Sequence, residues 1–232
     1  MRLSHQKATR HYINQSTEEI RLFALQILDC LVGLLPEHKL IFIDEFSIST
    51  RPSTNYMWGE VGKQPYINSN EKNRTRTNGF VCLDAFSGEI TLWQSSQAKA
   101  PQVAEFCLRQ ASLACKQNCT KLYIVLDNNK THLKAMKALF NQMLIDNDLK
   151  IEVIFKHTAR YAPKYNPAEY MITIIRKKIL HHLPADFTIE QAYQRMIDIS
   201  NSEKLQTKEQ VWNTIDHILN TAILRNYSYK EL

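Results

Sequence analysis

The chain has no apolar run approaching the ~18 residues that a membrane-crossing helix needs. Its start, Met1-Arg2-Leu3-Ser4-His5-Gln6, lacks the apolar core of a signal peptide. No membrane partner and a cytoplasmic location are therefore expected. Internal repeats and low-complexity tracts are also absent, which excludes solenoids. Cys115-x3-Cys119 has no second pair at zinc-ligand spacing, and the odd total of five cysteines reads as reduced thiols rather than a disulfide framework.

What is present suits one large domain, or a domain with a small appendage. The 232 residues are 44% hydrophobic, with a formal charge of +6. That charge leans towards a polyanionic partner without naming one.

Two short apolar runs end in acids. Leu40-Ile41-Phe42-Ile43 leads into Asp44-Glu45, and Leu122-Tyr123-Ile124-Val125-Leu126 leads into Asp127-Asn128-Asn129. Runs of this kind suit strands buried on both faces, and ligands collect at the carboxyl ends of strands in such sheets. Either aspartate alone could be a turn or cap residue. A third acid lies in Tyr161-Ala162-Pro163-Lys164-Tyr165-Asn166-Pro167-Ala168-Glu169-Tyr170, where Asn166 is a favoured N-cap and Pro167 suits the first helical position. Glu169 then has two possible tasks: closing a capping box onto the Asn166 N–H, or binding a metal together with the two aspartates.

Other elements follow in order. Residues 1–15 are basic and carry little periodicity. Ser16-x-x-Glu19 opens a helix that runs to Pro36, and residues 46–78 lose periodicity. Within that region Lys72, Arg74 and Arg76 could track a phosphate backbone or simply be solvated, and Trp58 could stack on a base or anchor its own loop. A hairpin flanks Ala85-Phe86-Ser87-Gly88, with Asp84 read as a turn residue. Helices are expected from Pro101 and from about Thr131, and a strand over 151–155. A further helix starts at Pro167 and ends at Leu183-Pro184, with the adjacent His181 and His182 unsuited to share one metal. Thr188 and Thr207-x-x-Gln210 cap two closing helices. The expected α/β architecture is a mixed five-stranded sheet flanked by helices. Residues 1–37 form a basic segment and helix, 38–185 the catalytic domain, and 186–232 helices packed on it.

This pattern resembles the ribonuclease H-like fold, and over about Leu40 to Leu183 it resembles the catalytic domain of DDE transposases of the bacterial insertion-sequence branch of the mariner superfamily. The specific motifs are Asp127-Asn128-x-x-x-His132 and Pro163-x-x-Asn166-Pro167-x-Glu169; Asp44-Glu45 and Leu83-Asp84-Ala85-Phe86-Ser87-Gly88 are weaker. Two local features depart from that branch. The 41 residues between Asp127 and Glu169 are more than is usual, and Ala159-Arg160-Tyr161-Ala162 replaces a more apolar approach.

The resemblance implies that Asp44, Asp127 and Glu169 bind Mg²⁺ or Mn²⁺, two ions, for phosphodiester cleavage and DNA strand transfer. Water would first free a 3′-hydroxyl at the element's end, and that hydroxyl would then attack target DNA. Asn128, His132 and Asn166 would support the acids or contact DNA. Arg160, Lys164 and Arg176 would meet phosphates. Glu45 should face away from Asp44 if the strand continues.

The implied partners are the element's terminal inverted repeats and target DNA, a second copy on the DNA, and a separate upstream helix-turn-helix polypeptide, since only about 39 residues precede the first strand. A nucleoid-associated location follows. Three readings stay open at this stage: an active transposase domain, a nuclease of the same fold acting on another substrate, and a silent, truncated copy that only binds DNA or a partner copy.

Overall fold

A computed structural model describes residues 14–50, 60–66, 76–178, 180, 183, 186–202, 205 and 207–223. The basic residues before 14, Trp58, Lys72, Arg74, His181 and His182 lie outside them.

The elements are α1 (Thr17–Val32), β1 (His38–Ser49), β2 (Arg76–Asp84), β3 (Ile90–Ser95), α2 (Ala100–Lys116), β4 (Lys121–Leu126), α3 (Lys134–Asp146), β5 (Glu152–His157), α4 (Pro167–Lys178), α5 (Ile189–Ser202) and α6 (Lys208–Ile223). The sheet order is β3-β2-β1-β4-β5. β1 pairs antiparallel with β2 and parallel with β4, so the two acid-bearing strands are central neighbours. This is the expected mixed sheet of the ribonuclease H-like class.

Alternation along β1 divides the core. Leu40, Phe42, Phe46 and Ile48 face a layer built from α1, α4, α5 and α6. Ile41 and Ile43 face α2 and α3. Each fully buried Phe or Ile in these layers contributes roughly 1.5–3 kcal/mol relative to an exposed one. Because successive side chains alternate, Asp44 belongs to the first face and Glu45 to the second.

Close approach decides one position in the sheet. Gly79 in β2 pairs with Phe46, and a Cβ there would come within 2.7 Å of the Phe46 ring, so the ring occupies the space a side chain would need.

Local capping matches the sequence in part. Thr188 and Gln191 close a reciprocal box at α5, as Thr207 and Gln210 do at α6. Ser16 caps α1 by accepting the Glu19 N–H, whereas the Glu19 carboxylate turns away to Arg160. The helix expected from about Thr131 begins instead at Lys134, because Lys130–His132 forms a 3-10 turn that buries His132. The five cysteines are all free.

Candidate active site

The site is built on strand β1, which does not stop at Asp44 but continues five residues beyond it, to Ser49. Asp44 is therefore held by sheet hydrogen bonds and lies 7% exposed. Its Oδ1 accepts the Glu45 N–H at 2.8 Å. Asn166, fully buried, donates its Nδ2–H to the Ile43 carbonyl at 3.0 Å and to Asp44 Oδ2 at 3.4 Å. The same side chain accepts the Ala168 N–H through Oδ1 at 3.1 Å, capping α4 as the sequence predicts. One amide thus fastens the start of α4 to the strand that carries Asp44.

The capping box at Glu169 does not form. A 3-10 turn over Pro163–Tyr165 precedes α4, and the Asn166 N–H donates to the Pro163 carbonyl at 2.8 Å. With that donor occupied, the Glu169 carboxylate has no cap to close. It lies close enough to Asp44 for its charge to act there. Burial raises the Asp44 carboxyl well above the usual aspartate range, and the charges of Glu169, Glu45 and Asp127 raise it further. Burial also raises Glu169, with Arg176 opposing and Asp127 adding to the shift.

Asp127 follows β4 directly, and its surroundings differ. His132, 1% exposed, contacts Asp127 Oδ1 through Nδ1 at 2.5 Å and Glu45 Oε1 through Nε2 at 2.7 Å. Both partners are acceptors, so both ring nitrogens donate and the ring is an imidazolium. Burial opposes that charge, but the bonds to Asp127 and Glu45 outweigh it and push the His132 pKa up to about 10. For Asp127, burial pushes upward, while the His132 bond and charge and the Asn129 N–H prevail and hold its carboxyl below the ordinary value.

His157, at the end of β5, donates from Nδ1 to the Asp127 main-chain carbonyl at 3.2 Å. Its buried Nε2 has no hydrogen-bond partner, and burial depresses its pKa. Sequence reasoning missed both His157 and the role of Glu45. The signal for His157 was its strand-end position beside Asp127; for Glu45 it was alternation, which turns the residue towards the layer containing His132.

The remaining expected residues are dispersed. Asn128 and Arg160 line, with Asp127, a cleft of about 720 Å³ that also includes Lys130, Tyr161 and Pro163. Arg160 contacts Glu19 of α1 at 3.7 Å, and Gln15 of the same region donates to the Tyr161 carbonyl at 3.1 Å. Lys164 lies over the Tyr165 ring at 5.1 Å. Arg176, exposed in the last turn of α4, acts on the site through its charge on Glu169.

The donor set fits a hard divalent cation, because carboxylate oxygens suit Mg²⁺ and Mn²⁺ and the buried Asp44 is surrounded by like charge. Among the described residues, however, no three His, Cys, Asp or Glu side chains converge closely enough to hold an ion. Asp127 Oδ1 is held by His132 Nδ1 and by the Asn129 N–H. Nor, among the described residues, is any helix long and apolar enough to cross a membrane.

Solved structures share the fold. The catalytic domain of Mos1 mariner transposase aligns with a TM-score of 0.59 at 12% identity, covering 95% of this chain and 98% of that one. The Mos1 paired end complex with Mg gives 0.67 at 16% identity, covering 96% of this chain and 67% of that one. The Mos1 strand transfer complex gives 0.65 at 17%, covering 96% of this chain, which spans 66% of the Mos1 chain's length. No curated protein matches the sequence. Residues 39–190 match the family described as DDE superfamily endonuclease, a span that takes in β2 to β5 and all but the first residue of β1, together with Asp44, Asp127 and Glu169, and the chain belongs to that family.

Proposed function

We propose that the chain is the catalytic domain of an insertion-sequence transposase of the bacterial mariner-related branch. It carries out metal-dependent phosphodiester cleavage and strand transfer. The reading is carried by one observation: a buried aspartate on the central strand, raised by its burial and by the charges of Glu169, Glu45 and Asp127. Such a group is costly to leave charged unless cations join it.

Asp44, Asp127 and Glu169 would hold Mg²⁺ or Mn²⁺, in two positions. Bound there, the metal supplies activation of the attacking oxygen and stabilisation of the leaving one in an in-line displacement at phosphorus. The chain's own groups prepare the site. Asn166 fixes Asp44 relative to α4, and His132 keeps Asp127 ionised. Asn128 and Arg160 in the cleft beside Asp127, with Lys164 and Arg176, would meet DNA phosphates.

The partners in this reading are the element's ends, target DNA, a second copy of the chain on the DNA and a separate end-reading polypeptide, with the protein acting at the nucleoid. Residues 38–185 would form the catalytic unit, and α5 and α6, which share its core, a supporting appendage.

A second reading, a silent copy that binds DNA without cutting it, is favoured by the lack, among the described residues, of three side chains converging on one ion position. Supercoiled plasmid with Mn²⁺ decides between them. Nicking that Asp44→Asn abolishes supports the catalytic reading, and joining of an end-bearing duplex to the plasmid extends it to strand transfer. DNA binding with no nicking at any Mn²⁺ concentration selects the silent copy.

A further inference from the structure

Asp44 and Glu45 are consecutive in β1 and project through opposite faces of the sheet. Glu45 is nevertheless connected to the site. Its Oε1 accepts the His132 Nε2–H at 2.7 Å, and His132 Nδ1 meets Asp127 Oδ1 at 2.5 Å. The Glu45 side chain is 17% exposed, that of His132 1% and that of Asp127 35%.

A strut of two charge-assisted bonds therefore runs from the second face of the central strand, around the end of β4, to the acid on the loop. The imidazole is further fixed by Nδ1 lying 3.2 Å from the Asp127 carbonyl. Paired bonds to rigid partners of this kind lock a side-chain rotamer, and outer partners of metal-binding carboxylates act by that means.

We propose that Glu45 is a positioning residue for Asp127, acting through His132. Asp44 would serve the metal directly, whereas Glu45, its neighbour in sequence, would fix the direction of the second aspartate from the opposite face. The inference rests on the reading of Asp127 as a metal-binding acid. Of the three acids, Asp127 alone lies outside a strand or helix, and beyond the local Asn129 N–H at 3.1 Å it is this strut that holds its Oδ1. The strut runs back to β1, the strand that places Asp44, and so ties both aspartates to one frame.

The test uses the full chain, with Mn²⁺ alone as probe, for the wild type, Glu45→Ala, Glu45→Gln and His132→Ala. Two readouts are taken: the downfield imidazole N–H signals of His132 by proton NMR, and Mn²⁺ affinity by electron paramagnetic resonance. Gln can still accept from Nε2–H, so Glu45→Gln should keep both imidazole signals and bind Mn²⁺ close to wild type. Glu45→Ala and His132→Ala should weaken Mn²⁺ binding about 10–100-fold, the range for outer partners of metal ligands. Glu45→Ala should also broaden or shift the Nδ1–H signal although the substitution lies at the other end of the ring.

A Glu45→Ala variant with wild-type Mn²⁺ affinity overturns the proposal, whatever happens to its melting temperature. An unchanged Nδ1–H signal in that variant does so too, because Glu45 would then not be orienting the ring. A wild type that shows the imidazole signals but binds no Mn²⁺ removes the metal reading of the acids and the proposal with it. That failure is distinguishable, since the strut itself would still be seen.

Discussion

Strand β1 has a buried aspartate towards each end, and both are 7% exposed: Asp84 beside its start, from the paired strand, and Asp44 in its second half. Asp84 is fully answered. Its Oδ1 accepts the Phe86 and Ser87 N–H groups at 2.8 and 2.9 Å, and Lys39 meets Oδ2 at 2.8 Å. Asp44 receives one N–H from its own neighbour and a long bond from Asn166, and its carboxyl is raised by the charges of three other acids. Equal burial thus hides opposite electrostatics. Asp84 is a turn residue with its cation built into the chain, whereas the surroundings of Asp44 suit a cation that arrives from solution.

The largest effect that would break this comparison is on DNA cleavage. Asn at position 44 or Gln at position 169 should reduce Mn²⁺-dependent plasmid nicking by more than about 100-fold, because even an outer partner of a metal ligand costs up to about that much. Nicking that survives in both variants would remove the distinction.

Next comes the response of melting temperature to Mn²⁺. At about 100 times its dissociation constant the ion adds roughly 2.7 kcal/mol, or about 5–11 °C for a chain of this size, reversed by chelator. Asp44→Asn should lose this gain and Asp84→Asn should retain it. Equal losses in the two would show that the assay reports general electrostatics.

Asp84→Ala isolates the other side of the comparison. Two N–H groups and Lys39 lose their acceptor, for an expected cost of about 1–3 kcal/mol in chemical denaturation, with Mn²⁺ binding preserved.

The smallest effect is the subtlest. Since the folded Asp44 pKa is raised above its unfolded value, the native state binds more protons, and stability falls as pH climbs from the ordinary carboxylate range through the raised one. In metal-free buffer Asp44→Asn should therefore melt higher than wild type at pH 8, with the gain shrinking towards pH 4. A variant that melts lower at both pH values would mean that Asp44 is already compensated.

Much of this was legible in the sequence. Two apolar runs leading into acids placed Asp44 and Asp127 by neighbouring central strands, Asp44 within β1 and Asp127 just after β4, and the Ser-Gly turn after Asp84 identified that residue as local. Asn166 and Pro167 fixed the start of α4. What could not be read was competition for hydrogen bonds. Whether Glu169 closes a box depends on whether the Asn166 N–H is free, and the Pro163 carbonyl takes it only because a 3-10 turn folds there. The late start of α3 has the same origin, since the 3-10 turn that positions His132 gains its reward from Glu45, 87 positions away in sequence. Periodicity registers burial along one element and is silent about such long-range bonds.

Gly79 carries the last consequence. Its missing side chain makes room for the Phe46 ring, which stands on the same face of β1 as Asp44 and one position removed along that face. A single methyl at Gly79 would force a buried ring, 4% exposed, to shift within the layer that also holds Asp44. Gly79→Ala is thus a steric lever on Asp44 applied from another strand, and its expected signature is weaker Mn²⁺ binding without the loss of any charge.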